Sequence, residues 1–321
     1  MLMMTLITVL LGILVVASKI GRVEATATIY IRADGSIDPS DAPIRRDGDL
    51  YVLTDNVSGV VIERDNMTLV GAGLTVEGSD VSSYEGIYVY GRSNVTIKNI
   101  IVEGFYHGVW LDSSSNNSIF NSYIDANRES GIVLSAGSRY NSIVENNVAS
   151  NGGEGIFLLG SSNYNNIVDN NITTNNYGVS LYLSANNSVY GNNVLSNNYG
   201  IRLQACSNNS IYHNNFINNT NQAYAVESTG VWDNGYPSGG NYWSNYAGLD
   251  SNRGVGQNQT GSDGIGDTPY IIDMNNTDRY PLMTDYITVI PESSLFLILP
   301  LLMAATLVTV AAHRIKRGMS K

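Results

Sequence analysis

Apolar positions recur in register between Asn94 and Thr220, every 22 to 24 residues. One column reads Ile97, Ile119, Ile143, Ile167, Val189, Ile211, and a second reads Val102, Ile124, Val148, Ile172, Val194, Phe216. A third follows a glycine: Ile87, Val109, Ile132, Ile156, Val179 and Ile201 come directly after Gly86, Gly108, Gly131, Gly155, Gly178 and Gly200. A fixed period of this length marks stacked supersecondary units. Within each unit, β-branched residues alternate with polar ones over short runs, which is strand spacing, and no run holds helical spacing for long. The pattern predicts an all-β chain with three short strands per coil, a single-stranded parallel β-helix. Coils paired at about 4.8 Å raise six repeats about 30 Å, with the three columns filling the interior.

Asparagine fits this scheme. Asn127, Asn151, Asn175, Asn197 and Asn219 form a column after the second strand. Asparagine tolerates left-handed backbone angles, and stacked amides hydrogen-bond from coil to coil. The residues that dominate the composition therefore build the scaffold. Cys206 is the single cysteine, so no internal disulfide forms. It reads as a small structural residue near a coil turn.

The ends of the chain change character. Residues 1–27 read as an export signal: an apolar run to Ala17, then small residues at Ala25 and Ala27, without a basic start. A retained N-terminal anchor is the alternative. Residues 28–65 read as an N-terminal cap and first coil, and 66–230 as the coils, with an enlarged loop at Gly78 to Tyr84. Residues 231–286, rich in Gly, Asn, Asp and Tyr, break the period and read as a C-terminal cap. After a linker at 287–293, residues 294–312 are long and apolar enough to span a bilayer. The basic tail at 313–321 places that end in the cytoplasm and the solenoid outside.

Charge narrows the partners. Residues 26–293 hold 27 Asp and Glu against 11 Lys and Arg. Such a surface excludes nucleic acid as a natural partner. Ten N-x-Ser/Thr sequons, from Asn56 to Asn275, suit an exported glycoprotein, although asparagine-rich coils also generate such matches by chance.

The segments VSGVVIERDNMTLVGAG and GGNYWSNYAGLD, with GSDGIGDTPYIID and DRYPLM, resemble the NosD-like family of periplasmic copper-binding proteins. The repeats between them resemble the pectate-lyase-like β-helix repeat, also described as a carbohydrate-binding and sugar-hydrolase domain. With the C-terminal span, the chain is similar to archaeal cell-surface proteins of this type. The resemblance covers about Ala27 to Tyr286 and implies a right-handed winding. It also implies an accessory role in maturing the copper sites of nitrous oxide reductase, alongside a transporter. The residues do not support copper handling, which needs clustered Cys, Met or His. Between the termini only Cys206, His107, His213, Met67, Met274 and Met283 are of those types, and none are at ligand spacing.

Candidate chemistry lies elsewhere. Outward positions of the third strand carry Tyr88, Trp110 and Phe157 in one column and Tyr90 and Tyr182 in the next, with Asp112 and Arg202 beside them. Flat rings with polar neighbours suit sugars, and this predicts a glycan-binding face at those seven residues. The competing expectation is that the cap or the Gly78–Tyr84 loop folds over the face. Asp250, Asp263 and Asp267 are the calcium candidates, with Asx-turns as the simpler account. No cofactor is firmly indicated. For an enzyme, Lys98, Arg128, Arg139 and Arg202 are the available lyase bases, and Asp125, Glu145 and Asp169 the available hydrolase carboxylates. The preferred expectation is a non-catalytic, membrane-anchored surface protein that binds glycans or builds the envelope. A polysaccharide lyase or hydrolase, and a copper-site accessory protein, are the alternatives.

Overall fold

A computed structural model describes residues 28–79 and 84–286. The expected signal, linker, membrane span and basic tail lie outside the described residues, as does the centre of the Gly78–Tyr84 loop. Among the described residues no helix is long and apolar enough to cross a membrane.

The coils form a right-handed parallel β-helix of about eight turns, walled by three sheets. Sheet A has ten strands and contains Glu85–Tyr90, His107–Asp112, Ile132–Ser135, Glu154–Leu159, Tyr177–Tyr182, Tyr199–Gln204 and Asn221–Val226. Sheet B, also ten-stranded, carries the Ile97 column, and the eight-stranded sheet C carries the Val102 column. The register is one residue per coil throughout: Val109 pairs Ile132, Ile119 pairs Ile143, and Ile124 pairs Val148. All three predicted columns point inward and are fully buried in one continuous core. At about 25 cal/mol per Å² of apolar surface, this interior is the main stabilising term.

The Asn127 column is a hydrogen-bond ladder. Each Nδ2 donates to the Oδ1 of the next coil, at 3.0, 3.0, 3.2 and 3.0 Å from Asn127 to Asn219. The left-handed backbone angles expected there belong instead to the preceding residues, Ala126, Ser150, Thr174, Ser196 and Asn218. The physical reason is division of labour: the corner residue absorbs the turn, and the asparagine after it points inward to satisfy backbone groups. Two further buried ladders run at the other corners, through Asn117–Asn141–Asn165–Asn187–Asn209 and Asn146–Asn170–Asn192–Asn214–Asn241. Cys206 stands in a serine column with Ser138, Ser162 and Ser184, its Sγ 3.3 Å from the Leu181 and Gln204 carbonyls.

The repeat ends where the ladders are terminated. Trp243 pairs in register with Phe216, stacks on it at 4.6 Å, and with Trp232 seals the last coil. Asp278 closes one ladder by accepting from Asn241 N at 2.8 Å, Trp243 Nε1 at 2.9 Å and Tyr280 N at 3.1 Å. Burial pushes its carboxyl up to about 7 against these donors, which favour the ionised form.

Candidate functional site

The outer face of sheet A gathers most of the aromatic side chains singled out from the sequence. Register places Tyr88 beside Trp110 and Tyr90 beside Asp112. The Tyr88 and Trp110 rings meet edge to face at 5.7 Å, and Tyr88 lies along Tyr90 at 6.3 Å. Trp110 Nε1 donates to Ser135 Oγ at 2.8 Å, which fixes the indole. The Tyr88 hydroxyl donates to Asp112 at 3.3 Å, and burial together with that carboxylate pushes it up to about 12.

The remaining predicted residues lie further along the same face. Phe157 pairs Val133 on one side and Ser180 on the other. Tyr182 pairs Gln204, and Arg202 pairs Ser180 and Tyr224. The structure thus brings Tyr88, Tyr90, Trp110 and Asp112 into one group and leaves Tyr182 and Arg202 three and four ladder steps away from the Trp110 strand. Tyr90 and Tyr182 are 58% and 39% exposed, so the cap does not cover them. Tyr84, from the end of the enlarged loop, rests against Trp110 at 6.3 Å and stacks on Tyr106 at 4.9 Å.

A third outward column escaped the sequence reading. It consists of the residue before each repeat glycine: Glu85, His107, Ser130, Glu154, Tyr177 and Tyr199. At Gly108 both the glycine and Val109 pack inward, so the alternation slips and His107 returns to the outside. Its signal in the sequence is a run of polar and aromatic types that no apolar interior would hold.

This column adds most of the titratable chemistry. His107 sits among Tyr84, Tyr106 and Trp110 with its Nδ1 buried and unpartnered, and burial lowers its pKa to about 4. The imidazole is therefore neutral near neutral pH. Glu154 is buried, accepts from Ser130 Oγ at 3.0 Å, and is shifted upward by desolvation. Glu85 is shifted upward for the same reason. Tyr177 stacks on Tyr199 at 5.0 Å, and the Arg202 guanidinium lies 5.0 Å from the Tyr177 ring centre.

The other candidates do not join this face. Asp125 stands on sheet C beside Glu103, whereas Glu145 and Asp169 are corner residues at φ 54° and 53°. Lys98 belongs to sheet B. In the cap, Asp250 accepts from Asp263 N, Gly264 N and Ser262 Oγ, and Asp267 accepts from Ser251 N and Asn252 N. Asp263 accepts from Ile265 N and Gln257 Nε2. These carboxylates receive loop N–H donors, and among the described residues no three His, Cys, Asp or Glu side chains group as a metal site. The soft donors copper requires are equally scattered. Cys206 and Met67 are in the core, Met274 is 98% exposed, and His213 stacks on Tyr286 at the corner between sheets B and C, away from His107 on sheet A. The described residues do not fit a copper centre.

Comparison with known proteins bears on the fold and the family. Solved structures with similar winding include the A-module of a mannuronan C-5 epimerase, AlgE6, of Azotobacter vinelandii (19% identity over 55% of this chain and 50% of that one, TM-score 0.48). The periplasmic alginate epimerase AlgG (16%, 63% and 72%, 0.42) and pectate lyase Pel9A (15%, 60% and 58%, 0.41) are also similar. The chain spans half the length of the AlgE6 module, and at these identities the likeness is one of fold alone. No curated protein matches the chain. The family model described as periplasmic copper-binding protein (NosD) matches residues 38–248, most of the solenoid and the start of the cap, and the chain therefore belongs to the NosD family.

Proposed function

We propose that this protein is exported, held at the cell surface by its apolar C-terminal segment, and binds glycans on the outer face of sheet A without cleaving them. The observation that carries the reading is the strip of partly exposed rings in register along one sheet, flanked by Asp112, Glu154 and Arg202. Aromatic faces supply apolar contact to sugar rings while the polar neighbours take hydroxyl hydrogen bonds. The family's periplasmic description supports a location outside the cytoplasm.

The test is affinity electrophoresis through gels containing polysaccharides. Trp110→Ala and Tyr182→Ala are each expected to weaken retention about tenfold, the scale of a buried aromatic anchor. Tyr140→Ala, an exposed ring at a corner of the solenoid, is the control and is expected to leave retention unchanged. Unaltered retention in both face variants would remove the assignment.

One observation favours hydrolysis as a second reading. The register places Ser130 opposite Glu154, and Glu129 precedes Ser130, so the two glutamates are diagonal neighbours with Cα atoms about 6 Å apart. The Glu129 charge adds to the upward shift of Glu154, so the two carboxylates sense one another, as a pair acting across a glycosidic bond must. Sugar release from a retained polysaccharide, abolished by Glu154→Gln, would establish it over simple binding.

A further inference from the structure

Resting on the glycan-binding reading, we infer that the ligand is an extended, uncharged polysaccharide lying along the solenoid axis with about one sugar ring per coil. Three features of sheet A lead there.

The first is the position of the rings. Tyr88 and Trp110 group at one end of the face, and Tyr177, Tyr199 and Tyr224 group at the other, with Tyr199 and Tyr224 at 6.1 Å. The strands Glu85–Tyr90 and Asn221–Val226 are six ladder steps apart, about 29 Å. A ligand that uses both groups must run parallel to the axis. The coil rise of about 4.8 Å is close to the length one pyranose ring adds to an extended chain, so about one ring falls to each coil.

The second is the floor between the two groups. Val133 and Ser180 point outward but are 3% and 1% exposed, hidden below their larger neighbours. They leave a low stretch of wall above which Phe157, half-buried, and Tyr182, 39% exposed, are the rings between the two groups.

The third is charge. Along the described strands from Glu85 to Val226 of sheet A, Arg202 is the sole lysine or arginine. Glu85, Asp112 and Glu154 lie on the same strands, and Glu129 is at their edge. The Arg202 guanidinium is already engaged by Tyr177 and Gln204. A polyuronate would bring a carboxylate against this face at nearly every coil, with Arg202 the one cation on these strands to offset the repulsion and desolvation. Neutral sugars meet no such penalty, and the acidic side chains accept hydrogen bonds from their hydroxyls.

The experiment is calorimetric titration of the full-length chain with neutral β-linked glucan and mannan oligosaccharides of about two to about eight rings, bracketing the length of the face. Oligogalacturonates of the same lengths are titrated in parallel. Affinity for one neutral series is expected to rise at least tenfold between about three and about six rings and then level off. The oligogalacturonates are expected to bind at least tenfold more weakly. Trp110→Ala and Tyr199→Ala, one at each end, should each remove the gain from long chains while leaving short-chain binding in place. Equal affinity for short and long chains would overturn the axial arrangement, and tight oligogalacturonate binding would overturn the neutral class, while both leave glycan binding intact. Failure of every series would remove the glycan reading itself and this inference with it.

Discussion

Asn192→Leu is expected to cost about 3 kcal/mol of stability, although leucine shares the branched shape of asparagine and the site is fully buried. The Asn192 Oδ1 accepts from Asn170 N and Nδ2, both at 2.9 Å. Its Nδ2 donates to the Ile167 carbonyl at 2.8 Å, to the Tyr190 carbonyl at 3.0 Å and to Asn214 Oδ1 at 2.9 Å. Leucine strands Asn170 N without a partner in a dry interior, at about 1–3 kcal/mol, whereas the Tyr190 carbonyl and Asn214 Oδ1 keep Asp169 N and the residue 192 N–H as donors, and the Ile167 carbonyl keeps its ladder bond. The gain in apolar burial does not offset that orphaned donor together with the bulk leucine adds to a close-packed corner. Asn198 is the internal control: it makes the same kind of coil-to-coil amide bond, to Asn176 at 3.1 Å, but on the exposed surface. Asn198→Leu is expected to cost less than about 1 kcal/mol, because water replaces the lost bond. Urea unfolding of both variants measures the difference. Similar small losses in the two would show that the buried ladder is decoration.

Gly155→Ala is the second large effect, expected at about 3 kcal/mol. A Cβ there would stand 2.7 Å from the Gly178 carbonyl, 2.8 Å from Asn175 Nδ2 and 3.0 Å from Ile172 Cγ2. The carbonyl belongs to the next coil and cannot retreat without opening the ladder spacing, so the methyl overpacks the interior. The same approach recurs at Gly108, Gly131, Gly178 and Gly200, each within 2.5–2.7 Å of a carbonyl one coil on. Space, and not backbone angle, fixes these glycines. Gly160 gives the contrast: its φ is +64°, yet its nearest Cβ contact is 3.6 Å, so alanine there costs only about 1 kcal/mol of conformational strain. Because Gly155 lies next to Glu154 and two residues before Phe157, its alanine variant is also expected to lose glycan retention. Thermal melts read the first effect, and affinity electrophoresis the second.

These two sites show what the sequence makes legible. A column that repeats every 22 to 24 residues must occupy one place in every coil, so the inward Ile and Val and the tight glycines are readable from spacing alone. The buried asparagine ladder is readable as a column, but its backbone angle is not. The neighbour at the corner, Ala126 or Ser150, takes the left-handed turn without any composition signal. At the candidate site, strict alternation correctly projected Tyr88, Trp110 and Phe157 outward. It failed one step earlier, because the strand bends at the glycine and returns His107 and Glu154 to the outer surface. The cap aspartates illustrate another limit: Asp beside Gly satisfies loop N–H groups as readily as it binds a cation, and Asp250 and Asp267 do the former.

The central claim is that glycan binds to the sheet A wall. Hydroxyl-radical footprinting with and without a retained neutral polysaccharide tests it most directly, since tyrosines stand on several surfaces of the same molecule. Protection is predicted at Tyr90, Trp110, Tyr182 and Tyr224, with no change at Tyr140 and Tyr164 on a corner or at Tyr190 and Tyr212 on sheet B. Protection of Tyr190 and Tyr212, with Tyr90 and Tyr182 still fully reactive, would contradict the account and move the binding surface to sheet B.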